Sequence, residues 1–298
     1  MTDEKKGMLA AGVAYCIFGT TYLFSKVALG IAEPAILLCV RFTVTFLVLN
    51  LLVLTRVVKL NLKGKQLWRA AILGILQPVF YFVLENYGLK YTTASFSGIL
   101  SSSSPILTAI LGVVLLREKP TGRQWLCICI SIAGVLMVSL GSTGGVNTVA
   151  GCLCLLGAFF FGSLYSILVR KLSQSFSSFE MTYIMFAVGF TFFLILPFVQ
   201  YGGAAASMLT AALWDWRFTA SAIYLGGFAS VGAYLLVNYS LTRLPVTRSA
   251  IFNTFSTLVS VLSGVIVLRD PFTWVSVVAF LLILLGVWGV NRFAAKAD

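Results

Sequence analysis

Across 298 residues, 59% are apolar, 10% are charged and the mean hydropathy is +0.99. Soluble domains carry roughly 25% charged residues, so a water-facing globular fold is excluded for most of this length. The formal charge of +12 does not gather into a nucleic-acid face but scatters over short loops, and the lack of any histidine removes the commonest general base, proton shuttle and metal ligand.

A helix crosses the hydrocarbon core with about 20 apolar residues. Ten runs meet that length, at 7–29, 34–55, 68–88, 93–116, 124–141, 149–171, 177–201, 217–241, 246–268 and 273–293. With the N-terminus in the cytoplasm, sixteen of the 21 Lys and Arg residues fall on that side. Three (Lys90, Arg217, Arg269) fall outside and two (Lys26, Arg41) within spans. This positive-inside asymmetry predicts both ends in the cytoplasm.

The first run is too long for a signal-peptide core and holds Lys26 near its far end, so it reads as a retained helix. Glu33-Pro34 starts the second, and Arg41 follows by about two turns, about 10 Å deep at 1.5 Å per residue. Glu85 lies about one turn from the outer end of the third. Depth thus groups Lys26, Arg41 and Glu85 in the outer half, two cations and one carboxylate with a local excess of +1. Charges at that depth cost roughly 2.5–3.5 kcal/mol unpaired, so they face a polar interior. Three readings stand open: a salt-bridge lock, a site for the anionic end of a substrate, or Glu85 as carrier of a coupling proton.

The fourth run carries Ser101-Ser102-Ser103-Ser104-Pro105. Pro105 has no N–H, which frees the Ser101 carbonyl, and in lipid that carbonyl needs another partner. The serines either line a cavity or bond back to their own helix. Arg117-Glu118-Lys119 reads as a turn that fixes a span end. Cys127/Cys129 and Cys152/Cys154 sit at opposite membrane depths, cannot share a metal and read as packing, as do Cys16 and Cys39. Ser177-Ser178-Phe179-Glu180 is a capping box at the start of the seventh run. The Gly- and Ala-rich stretch 202–213 reads as a connector along the outer surface. Trp214 and Trp216 mark an interfacial belt before the small-residue eighth run, Gly226 to Ala233. Asn253-Thr254-Phe255-Ser256-Thr257 is the polar run of the ninth, and Arg269-Asp270 is a second turn pair.

Residues 86–136 and 238–288 align without a gap at an offset of 152, and Phe18–Tyr22 meets Phe161–Tyr165 at an offset of 143. The chain reads as two copies, residues 1–145 and 146–298. Five spans per copy is odd, so the second copy enters the membrane inverted. The predicted fold is therefore all-α and integral to the membrane, ten transmembrane helices in two inverted five-helix repeats, a plan that places a site between the halves. Tyr22 and Tyr165 are matched across the copies, as are Asn86 and Asn238. Tyr81 and Tyr234 join them as aromatic candidates, either packing or a cation–π surface.

Phe24-Ser25-Lys26 ahead of Glu33-Pro34 and Arg41-Phe42 resembles the EamA-type branch of the drug/metabolite transporter superfamily. So do Tyr87-Gly88-Leu89-Lys90-Tyr91-Thr92-Thr93-Ala94, Ser104-Pro105, Leu116-Arg117-Glu118-Lys119-Pro120 and Gly134-Val135, with Leu268-Arg269-Asp270 and Gly286-Val287 repeating the pattern. The resemblance implies a ten-helix alternating-access carrier in the inner membrane. Its cavity would be lined by the first, third, fourth, sixth, eighth and ninth helices, with the fifth and tenth peripheral. Many such carriers are proton-coupled exporters of amino acids, metabolites or drugs, and others import choline. Two departures are visible: Thr257 stands where the first copy has Pro105, and Val237 stands opposite Glu85. The first span has no glutamate, unlike the small four-helix multidrug members.

The expectation is a proton-coupled secondary exporter of amino-acid-like or amphiphilic metabolites, a monomer or weak homodimer in the cytoplasmic membrane, with no metal, cofactor or nucleic acid. The candidate substrate site is Tyr22, Lys26, Arg41, Tyr81, Glu85, Asn86, Ser101, Ser102, Tyr165, Tyr234 and Asn238, with Glu85 the proton-coupling candidate. A quaternary-ammonium importer is the alternative within transport, and a membrane receptor or scaffold the alternative outside it. An intramembrane enzyme lacks a nucleophile with its base or a metal set.

Overall fold

Lipid offers the backbone no hydrogen-bond partners, so a chain this apolar must satisfy its own amides, and helices do that within one segment. The computed structural model describes residues 3–58, 60–116, 121–141, 147–244 and 252–293. The helices among them are α1 (Asp3–Leu29), α2 (Pro34–Leu54), α3 (Leu67–Lys90), α4 (Ala94–Ser101), α5 (Ser104–Leu116) and α6 (Gly122–Gly141). After these come α7 (Val149–Leu172), α8 (Ser178–Tyr201), α9 (Ala204–Trp214), α10 (Trp216–Arg243), α11 (Asn253–Ile266) and α12 (Trp274–Arg292).

Eight spans are long and apolar enough to cross a membrane: α1, α2, α3, the α4–α5 pair over Ala94–Gly112, α6, α7, α8 and α10. Ala204–Trp214, Phe255–Ile266 and Trp274–Val290 are shorter apolar helices. The ninth predicted run begins at 246, and residues 245–251 lie outside the described residues, as does the turn Arg117-Glu118-Lys119. The stretch read as an outer connector is a helix: eight of the eleven residues of α9 are Ala, Leu or Met, which favour helix over loop.

Local chemistry fixes the helix starts. Pro34 opens α2 at a position where its missing N–H costs nothing. Ser177 accepts from the Glu180 amide (3.2 Å) while Glu180 accepts from the Ser177 amide (2.8 Å), the predicted capping box of α8. Thr93, Thr148, Asp215 and Thr273 accept amide hydrogen bonds at the starts of α4, α7, α10 and α12. Prolines set the breaks. Gln77 leaves helical geometry (φ −147°, ψ 111°) just before Pro78, inside a widened turn spanning Ile75–Phe80 of α3.

Helices from the two ends of the sequence interleave. α6 lies along α12, α2 along α8, α3 along α7, and α11 packs against both α1 and α4. The largest core joins Phe42, Phe82, Tyr165, Phe186, Phe193 and Tyr234. Close crossings need glycine: a Cβ on Gly226 would stand 2.6 Å from the Arg41 carbonyl oxygen, and one on Gly98 2.5 Å from Ser260 Cβ. Leu51, Leu136, Val199, Phe228 and Leu285 are exposed on the outside, and Trp214, Trp216 and Trp274 stand exposed at helix ends as an interfacial belt would.

Candidate functional site

The broken helices and close crossings leave a cavity of about 100 Å³ in the interior. Its wall is drawn from α1 (Tyr15, Phe18, Thr21, Tyr22), α2 (Arg41), α3 (Gln77, Tyr81, Phe82, Glu85) and the α4–α5 pair (Ser101, Ser104, Thr108). The far side is α7 (Phe159, Gly162, Ser163, Tyr165, Ser166), α10 (Tyr234, Val237) and α11 (Asn253, Ser256). These are the helices the family resemblance implies, with α2 added through Arg41; neither α6 nor α12 contributes to the wall.

Arg41 is 1% exposed. Gly226 lets α10 approach α2 until Thr45 Oγ1 donates to both the Arg41 carbonyl (2.8 Å) and the Gly226 carbonyl (3.0 Å). That crossing delivers Ser230, whose Oγ accepts from Arg41 Nε (3.0 Å). The guanidinium lies over the Phe82 ring, 4.3 Å from its centroid, a cation–π contact between two buried side chains. Among the described residues Arg41 makes no ion pair, and its Nη1 has no hydrogen-bond partner.

Glu85, also buried, accepts from the Tyr81 hydroxyl at 2.9 Å and likewise makes no ion pair among the described residues. Tyr22 stands beside Tyr81 and Ser101. Gln77 donates from Nε2 to the Tyr234 hydroxyl, and the Tyr234 ring meets Phe18 edge-on at 5.0 Å. Tyr165 donates to Asn238 Oδ1 (2.6 Å), while Asn238 Nδ2 donates to Thr182 Oγ1 (2.7 Å).

Of the residues named from sequence, Tyr22, Arg41, Tyr81, Glu85, Ser101, Tyr165 and Tyr234 are brought together on the wall. Lys26, Asn86, Ser102 and Asn238 are not. Lys26 Nζ donates instead to the carbonyls of Leu89 (2.8 Å), Lys90 (3.4 Å) and Thr92 at the end of α3, where a cation also meets the negative end of the helix dipole. The trio expected from depth is therefore a pair, and the expected excess of +1 is gone from the wall. Ser102 Oγ bonds back to the Ile99 carbonyl (2.5 Å), Asn86 Nδ2 bonds back to the Phe82 carbonyl (2.9 Å), and Asn238 holds Tyr165 from behind.

Sequence reasoning passed over Gln77 and Ser163, although Gln77-Pro78 inside an apolar run is the same signal that singled out Pro105. The predicted partner for the freed Ser101 carbonyl exists: Asn253 Nδ2, 152 positions later, donates to it at 2.6 Å.

With this geometry in hand, comparison with known proteins is specific. The EamA-like transporter family model matches residues 5–140 and 149–292. The uncharacterized transporter YcxC of Bacillus subtilis (strain 168) is 31% identical over 294 residues, covering 97% of this chain and 94% of that one. An uncharacterized transporter of Archaeoglobus fulgidus is 23% identical over 287 residues, covering 96% and 99%. A crystal structure with 19% sequence identity shares the fold at a TM-score of 0.67, covering 96% of this chain and 98% of that one. A match along almost the whole chain, together with eight apolar membrane-length helices, makes this an integral membrane protein that belongs to the EamA-like transporter family.

Proposed function

We propose that this protein is a secondary active transporter that moves small organic, amino-acid-like or amphiphilic metabolites out of the cell by alternating access. One observation carries the reading: a cavity whose wall holds a buried guanidinium and a buried carboxylate that form no ion pair with each other. A structural lock would place such charges in contact, because unpaired ions in a dry interior are costly. A transport site leaves them for a solute to satisfy. In this reading residues 1–145 and 146–298 are inverted five-helix repeats that rock about the cavity, with both termini in the cytoplasm. The family match in two stretches, 5–140 and 149–292, supports the duplication. Glu85 carries the coupling proton, since it is the carboxylate on the cavity wall.

The aromatic lining, above all Phe18, Tyr22, Tyr81, Phe82 and Tyr234, favours one second reading, import of a quaternary-ammonium compound such as choline. Proteoliposomes loaded with labelled amino acids or choline, with and without an imposed pH gradient, separate the two. Proton-driven amino-acid efflux supports the first, and choline uptake that amino acids do not compete supports the second. Glu85→Gln should abolish the response to the pH gradient. Unchanged pH dependence in that variant removes Glu85 from the coupling step.

A further inference from the structure

We propose that Asp270 is the latch that holds the outer mouth of the cavity shut: its carboxylate, supplied by the second copy, grips the start of α4 in the first. This rests on the reading of a transporter built from two inverted copies, and it names the contact that sets the resting state.

Asp270 Oδ2 accepts from both the Ser95 amide (2.8 Å) and the Ser95 hydroxyl (2.9 Å). Both hydrogen bonds are charge-assisted, and the carboxylate also meets the positive end of the α4 dipole. α4 does not need this carboxylate in order to start, because Thr93 already caps it by accepting from the Phe96 amide (3.2 Å). What Asp270 adds is a tie between the copies. Beside it α4 and α11 leave no gap. Ser260 Oγ donates to the Ala94 carbonyl (3.0 Å), and a Cβ on Gly264 would stand 2.7 Å from Asp270 Oδ2.

The sequence repeat supplies a comparison within one molecule. The offset of 152 matches Leu89 to Leu241 and Thr108 to Ser260. Ties inside a copy occur at both ends: Lys26 holds the Leu89 carbonyl (2.8 Å) and Arg170 holds the Leu241 carbonyl (3.1 Å). They do not tell one end from the other. The seam between copies does. Ser260 is closed across the seam on Ala94, whereas Thr108 faces the cavity and bonds back to Ser104 of its own helix (2.9 Å). In keeping with this, α11 packs along α4 while α5 packs on α7. One seam is shut and its counterpart is part of the wall. Inverted copies reach the opposite state by exchanging such conformations, so opening outward must part Asp270 from Ser95.

Spin-label distances in lipid nanodiscs test the latch on the full-length protein, in a background without the native cysteines. Labels at Tyr91→Cys and Val267→Cys span the outer mouth, and labels at Leu115→Cys and Phe255→Cys span the cytoplasmic one; all four positions are exposed. With the latch intact, the outer pair should give mainly one short distance. Asp270→Asn should raise the ratio of long to short outer distances by about 10- to 100-fold, as expected for losing a charge-assisted contact present in one state only. The inner pair should keep its distance or shorten. Ser95→Ala, which removes one of the two bonds, should act in the same direction to a smaller extent, and it serves where Asp270→Asn fails to fold. An outer distribution that matches the wild type in the folded variants overturns the latch. Lengthening at both mouths overturns it too, because that marks loosened packing. Flux of amino acids or choline in proteoliposomes separates the two claims: flux with unchanged distances sinks the latch and leaves the transporter, whereas outer opening without flux does the reverse.

Discussion

Asn253 settles a problem that Pro105 creates one helix away. The proline removes the amide that would bond the Ser101 carbonyl, and the Asn253 side chain supplies the donor at 2.6 Å. Asn253→Ala strands that buried carbonyl and should cost about 1–2 kcal/mol, within the range for interhelical hydrogen bonds in membranes. Unfolding titrations in mixed micelles measure this; a variant as stable as wild type would mean the carbonyl has another donor. The need for a partner was legible from Pro105, but the partner was not, because nothing in one-dimensional spacing says which face of α11 meets α4. Lys26 teaches the same lesson. Counting residues from the membrane surface gives depth and no azimuth, so it grouped Lys26 with Arg41 although only Arg41 reaches the cavity wall and Lys26 turns to the Leu89, Lys90 and Thr92 carbonyls.

Among the elements, the turn between α3 and α4 is clasped from several directions. Lys26 of α1 binds the carbonyls of Leu89, Lys90 and Thr92. Asp270, ahead of α12, accepts from the Ser95 amide (2.8 Å) and hydroxyl (2.9 Å), and Asn147 accepts from the Thr93 amide (2.8 Å). Arg269-Asp270, legible as a span-end turn, thus also caps a helix far away in sequence. Lys26→Met should speed amide hydrogen exchange over residues 89–97 by about tenfold, the equivalent of one lost contact of about 1.4 kcal/mol, with the helix interiors unchanged. Exchange that stays at the wild-type rate would show that Lys26 does not hold this turn. The α2–α10 crossing gives a paired test. Gly226→Val forces a side chain against the Arg41 carbonyl and should destabilise by about 1–3 kcal/mol, whereas Gly227→Val, with open space around it, should be near neutral. Equal melting temperatures for the two variants contradict the crossing.

At the scale of the whole molecule, apolar run length and the scatter of basic residues specify a helical membrane protein, because hydrocarbon admits few other ways to satisfy a backbone. The predicted orientation has its own test. In a background without the six native cysteines, Ser207→Cys in intact cells should react with a membrane-impermeant maleimide and Ser175→Cys should not. The opposite pattern inverts the topology. The existence of eight membrane-length spans, the capping box at Ser177–Glu180 and the proline break in the fourth run follow from residue order, since they depend on neighbours within a few positions or on transfer into lipid. The helical state of 204–214 belonged to that class too, and its Gly-rich entry masked it. Only packing could decide that Lys26 turns to a helix end, that Asn238 supports Tyr165 from behind, and that Arg41 and Glu85 share a cavity without pairing. Those outcomes depend on how each helix is rotated about its axis, and rotation is set by small-residue crossings between segments more than a hundred residues apart.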